Sequence, residues 1–202
     1  LFLFFFLVAA FSIITSRYHK LLYQSMQSSS SLVSYEFTNR LEDLVTMTNI
    51  VRSDSTVQST LDAIYQPQED YAVHYYSDIY SALQKHYLEY RQPYLKMAAI
   101  SCPRFITYTN ENIACRPDAD LTKELIALAE AGEGSPVWVT SHAEDHGIFL
   151  VREIKKIKNL RLDNLGTLII NVNLGDLVTE MSKISNCLLY TSPSPRDGAT
   201  SR

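Results

Sequence analysis

Two stretches near the C-terminal end alternate by two, and they predict the hairpin around which the chain is built. In 147–154, Ile148, Leu150, Arg152 and Ile154 share one face, and Phe149, Val151 and Glu153 share the other. Gly166 opens the second run, with Leu168, Ile170 and Val172 facing one way and Thr167, Ile169, Asn171 and Asn173 the other. Two β-branched runs joined by a polar connector are a hairpin signal. The connector 155–164 is long for a hairpin loop, so the strands are expected to extend into it. Gly175-Asp176 then starts a helix carrying Leu177, Val178 and Met181.

Earlier in the chain the period is helical. Phe37, Leu41, Leu44, Thr48 and Val51 recur at heptad-like spacings, and the seam needs either a sheet of this chain or the same helix of a second chain. Ser28–Ser31 is a polar spot in this helix. The stretch 52–56 interrupts the pattern, and Asp54 or Ser55 suits an N-cap before Val57, Leu61 and Ile64 resume it. Pro67 stops that helix. A tyrosine-rich helix is expected over 69–92, with Tyr76, Tyr80, Leu83, Tyr87 and Tyr90 as a core stripe whose hydroxyls reach the rim. Strands are expected at 95–101 and 104–109, and at 137–141 after a helix capped by Asp120 or Thr122 and ended by Gly132-Glu133-Gly134. His142–Gly147 reads as a polar turn into the hairpin.

Composition narrows the function. The 202 residues carry 18 Lys+Arg against 22 Asp+Glu, with no basic arm or stripe, which argues against a nucleic-acid partner. The first fourteen residues are apolar except Ser12 and span roughly 21 Å as a helix, short of the ~30 Å hydrocarbon core. The chain opens on Leu, and no small-x-small cleavage site follows this run. A truncated transmembrane helix over 1–16 is therefore the expectation, rather than a cleaved signal, with Tyr18 and Tyr23 in the interfacial belt. A signalling helix over 17–66 and a sensor domain over 67–187 would follow it. Residues 188–202 lack periodicity and resemble a translated adapter sequence, so a tail foreign to the domain is expected there.

The candidate chemistry is sparse. There is no phosphate-cradling glycine loop, no G-x-S-x-G elbow and no His-Arg-Asp or Asp-Phe-Gly motif, so no catalytic residues are assigned. His142, Glu144, Asp145 and His146 cluster, but no third fixed ligand accompanies the histidines; a solvated loop is the better reading, and neither a metal nor a cofactor is assigned. Cys102 and Cys115 form no CxxC. Outside the cytoplasm they could bridge, closing a loop worth roughly 3 kcal/mol; the alternative is two unpaired thiols.

The order of these elements resembles a Cache sensor domain, a PAS-like antiparallel sheet hung on a long membrane-linked helix, giving an α+β fold. Phe105-Ile-Thr-Tyr-Thr-Asn-Glu-Asn112 is similar to that family's first strand and turn, and Pro136-Val-Trp-Val139 to the strand after its helical insert. Phe149–Ile154 and Leu165–Leu177 resemble its closing strands and exit helix. Together they resemble the membrane-distal module of YesM-type sensor histidine kinases, over about 1–187. The resemblance implies the extracytoplasmic sensing region of a two-component kinase in the cell membrane, with the transferase activity in the parent protein. Chemoreceptors and cyclases carry similar sensors, and a membrane-anchored surface protein without a small ligand is the competing class. It also implies a homodimer and a small-molecule ligand (a sugar or an organic anion) or a partner protein. The ligand would sit against one sheet face under the insert, drawing on Tyr108, Trp138, Arg152 and Asn171. Arg152 is the sharpest of the four: a guanidinium on an apolar face needs an acceptor, either a ligand carboxylate or Glu124, Asp163 or a backbone carbonyl.

Overall fold

The computed structural model describes residues 2–65, 73–110, 113–144, 146–158 and 161–191. The chain divides into two compact units, Arg40–Val178 and a second made of Leu1–Asn39 with Thr179–Arg202.

Helix α1 (Phe2–Ser53) runs through the polar Ser28–Ser31 spot without a break. There Ser31 Oγ donates back to the Ser28 carbonyl at 2.9 Å. Among the described residues, no helix is long and apolar enough to cross a membrane. Within the unit holding Leu1–Asn39, α1 exposes Ile14, Tyr18, Leu21, Leu32 and Tyr35.

The Arg40–Val178 unit is a five-stranded antiparallel sheet with helices on both faces. Asp54 ends α1 and caps α2 (Ser55–Ile64), accepting hydrogen bonds from the backbone N–H groups of Thr56 and Val57 at 2.8 and 3.1 Å. After α3 (Val73–Glu89) come β1 (Leu95–Ser101), β2 (Ile106–Tyr108) and a 3-10 turn (Ile113–Cys115). Helix α4 (Ala119–Ala131) crosses to β3 (Val137–Val139), and the chain closes with β4 (Ile148–Lys158), β5 (Arg161–Val172) and α5 (Leu174–Thr191). The strand order is β2-β1-β5-β4-β3.

Register assigns the faces. Phe149 pairs with Asn171, Val151 with Ile169, and β1 sets Met97 and Ala99 beside them. These residues face α4 and join Leu121, Leu125 and Ala129 in one buried cluster. On the other face Leu150 pairs with Ile170 and Arg152 with Leu168. The buried residues Leu44, Met47 and Val51 of α1, Val57 and Leu61 of α2, and Ile79 and Leu83 of α3 supply the second layer. Leu44, Thr48 and Val51 of the seam are thus buried in the Arg40–Val178 unit itself.

The strands do extend into the connector. β1 pairs with β5 only over Thr167–Val172, and β3 with β4 only over Phe149–Val151. The β4–β5 pairs from Ile154↔Gly166 to Lys158↔Arg161 therefore project as a two-stranded ribbon, offset by a bulge between Ile154 and Lys155. Helix α2 holds its base: Asp62 pairs with Lys156 at 2.7 Å, and Gln58 Nε2 donates to the Lys155 carbonyl at 3.4 Å.

Several expectations change. The cap of α4 is Asp118, whose carboxylate accepts from the N–H groups of Asp120 and Leu121; Asp120 and Thr122 lie inside the helix. Helix α5 is capped by Asn173, and Val178 is exposed while Leu177 and Met181 are buried. Ile79, Leu83 and His86 form the buried stripe of α3, and Tyr76, Tyr80, Tyr87 and Tyr90 flank it. Pro67, expected to stop α2, lies outside the described residues. The C-terminal stretch 188–202 is helical to Thr191, and its remainder lies outside the described residues.

Of the two alternatives for Cys102 and Cys115, a bridge or unpaired thiols, the structure has both as free thiols. Cys102 follows the last residue of β1 and sits beside Gly166, donating to the Phe105 carbonyl at 3.3 Å. Cys115 faces a cavity with Asn171 and Asn173, at the other end of β5. Gly166 and Asn171 are five strand steps apart, about 17 Å of rise, well beyond the ~7 Å Cα limit for a bridge.

Candidate functional site

The four residues expected to share a ligand are not on one face. β3 pairs with β4 so that Trp138 lies opposite Leu150, which puts Trp138 and Arg152 on the face covered by α1–α3. β2 pairs with β1 so that Tyr108 lies opposite Ala99, which puts Tyr108 with Asn171 on the α4 face. A sheet intervenes between the two pairs, so one molecule cannot touch all four.

Arg152 is 7% exposed, and protein groups accept three of its hydrogen bonds, from Nε and Nη1. Nε donates to the Gly134 carbonyl at 2.8 Å; Nη1 donates to Thr48 Oγ1 at 3.0 Å and to Asn49 Oδ1 at 2.6 Å. The backbone-carbonyl acceptor anticipated from the sequence is present. Glu124 instead pairs with His142 at 3.1 Å. Burial, and then the nearby positive charge of Arg52, push the Arg152 guanidinium below its ordinary pKa. The result is a structural clasp: one side chain from β4 holds the last turns of α1 and the turn after α4.

Tyr108 carries the Arg116 guanidinium over its ring at 4.6 Å from the centroid. Burial raises the phenol's pKa, and the charge of Arg116 offsets part of that rise. Arg116 Nη2 donates to the Asn110 carbonyl at 3.1 Å, so this cation–π pair pins the loop leaving β2.

Asn171 lines a cavity. The cavity, about 310 Å³, lies on the α4 side of the sheet, at the low end of the size range of small-molecule sites. Phe149 and Asn171 come from the sheet, Lys96 from the start of β1, and Asn173 and Gly175 from the start of α5. Cys115 and Pro117 close one side; Glu144, His146 and Gly147 of the turn before β4 close another. Gly147 has φ +82, and a Cβ there would sit 2.5 Å from the Val172 carbonyl oxygen, so the turn meets β5 only because this residue is glycine. Lys96 is neutralised by an ion pair with Asp176. The cavity lining is mixed, with Phe149, Leu174 and Pro117 among its apolar members and Asn171, Asn173 and Glu144 among its polar ones.

Sequence reasoning missed Lys96, Phe149, Glu144 and Asn173 as wall residues. The available signal was the polar turn 142–147, whose glycine leads straight into the hairpin. Among the described residues, no three His, Cys, Asp or Glu side chains are placed to hold a metal ion. Comparisons with models of known protein families and with curated protein sequences found no match to this chain.

Proposed function

We propose that the chain is the extracytoplasmic sensing region of a membrane-bound two-component sensor histidine kinase, with a Cache-like, PAS-like sheet as its ligand-responsive part. The observation that carries this reading is a single strand with two duties. Phe149 of β4 lines the cavity on one face of the sheet, and Arg152, three residues on and on the opposite face, holds α1 through Thr48 and Asn49. A small molecule in the cavity would press on β4 and on the turn before it, and the clasp would pass that displacement to the long helix. The molecule must bind one arrangement more tightly than the other for the helix to respond.

The order of elements supports the same reading: a long helix, an antiparallel sheet, and a helix crossing from β2 to β3 over one face. In this account α1 begins at the cell membrane, and the sensory sheet lies outside the cytoplasm. The protein works as a homodimer. Its contact uses Ile14, Tyr18, Leu21, Leu32 and Tyr35, which follow heptad spacing and are exposed, rather than the buried Leu44–Val51 seam. Phosphoryl transfer belongs to the parent kinase and not to these residues.

The test is a chimaera joining this chain to the span and kinase of a characterised sensor. Ala143 lines the cavity, so Ala143→Trp fills it without a ligand. Autophosphorylation should shift in Ala143→Trp and return to the unfilled level when Asn49→Ala is added. A kinase whose output ignores the filled cavity would contradict the proposal.

A further inference from the structure

We infer that the cavity between the 3-10 turn, the turn before β4 and the start of α5 selects hydrogen-bond donors. Its ligand is a small neutral polyol of monosaccharide size rather than an acceptor-only organic anion. This rests on the sensory reading of the cavity given above and adds the class of molecule.

The selecting group is Asn171. It is 4% exposed, lies beside Phe149 in the register of β4 and β5, and lines the cavity. Its orientation is fixed by a neighbour: Nδ2 donates to the His146 carbonyl at 2.9 Å. Flipping the amide would set oxygen against oxygen at that contact. Oδ1 must therefore point the other way, and it accepts no hydrogen bond among the described residues. That oxygen is open to the cavity, where a hydroxyl donor can meet it in place of water.

The rim repeats the preference. Glu144 adds a carboxylate that accepts only, and the charge of Lys96, though not all three of its N–H donors, is balanced by Asp176. The side-chain oxygen of Asn173 is occupied in capping α5. An acceptor-only dicarboxylate would face Asn171 Oδ1 and Glu144 with nothing to donate to either. A polyol offers hydroxyl donors to both, and its carbon face can lie on Phe149.

The test is calorimetric titration and thermal shift of the chain with D-xylose, D-glucose and myo-inositol, and in parallel with malonate and succinate. The expected result is saturable binding by at least one polyol. That binding should vanish in Ala143→Trp and weaken about tenfold or more in Asn171→Leu, with neither dicarboxylate binding. Dicarboxylates that bind wild type and not Ala143→Trp, with polyols inert, would overturn the donor preference and leave the sensory cavity standing. Binding by neither class, or binding indifferent to Ala143→Trp, would overturn the inference and the ligand-site reading together. If Asn171→Leu does not fold, Asn171→Asp serves. It keeps an acceptor and adds charge, so the amine-bearing D-glucosamine should gain about tenfold over D-glucose; an unchanged ratio would overturn the role of Asn171.

Discussion

Arg152 shows how a residue readable in sequence acquires its role only in three dimensions. Alternation alone marks a guanidinium on an apolar strand face. Two of its partners, Thr48 and Asn49, lie more than a hundred positions away, beyond the reach of any local pattern. Arg152→Leu would leave the buried Gly134 carbonyl and Thr48 hydroxyl short of a donor. It should cost about 2–4 kcal/mol in urea denaturation. A loss below about 0.5 kcal/mol would mean that the clasp is dispensable.

Asp54 acts on the same scale through charge. Burial raises its pKa, but hydrogen bonds with His86, Val57 and Thr56 outweigh burial and leave the carboxyl below its ordinary value of 3.8. A depressed folded pKa contributes stability above the unfolded value, and that stability is lost as pH falls through the folded one. Asp54→Ala should cost about 1 kcal/mol at neutral pH, and its deficit relative to wild type should narrow below about pH 4. Stability curves that stay parallel across that range would sink the assignment.

Among the elements, the hairpin was the most legible because a period of two, repeated in two runs, admits few other structures. Its long connector resolved into strand, as loop length required. The site set was less legible. Whether Trp138 and Tyr108 share a face with Arg152 depends on the register of β3 and β2, and a slip of one residue reverses every side chain. Neither three-residue edge strand carries enough pattern to fix its register. The tyrosines of α3 misled for a related reason: helical spacing identifies a stripe but not which neighbouring stripe is buried. The edges of the hairpin yield a prediction of their own. Amide exchange should be slowest in Leu168–Val172, which has a strand on each side, and faster by at least tenfold in Lys155–Lys158, where β3 no longer pairs. Equal protection would place a further strand on the ribbon.

At the scale of the whole molecule, the α+β architecture followed from the order of periodicities, whereas the cavity did not. Its walls come from β1, the 3-10 turn, the turn before β4, both hairpin strands and the start of α5, and only the closed sheet brings them together. What links the cavity to α1 is β4, with Phe149 on one face and Arg152 on the other. Amide exchange over Leu44–Ser53 of α1, compared between wild type and Ala143→Trp, reads that link. Protection should change in that segment as well as in the turn before β4, and the α1 change should be lost when Asn49→Ala is added. A change confined to the turn, with α1 exchanging as in wild type, would contradict that link.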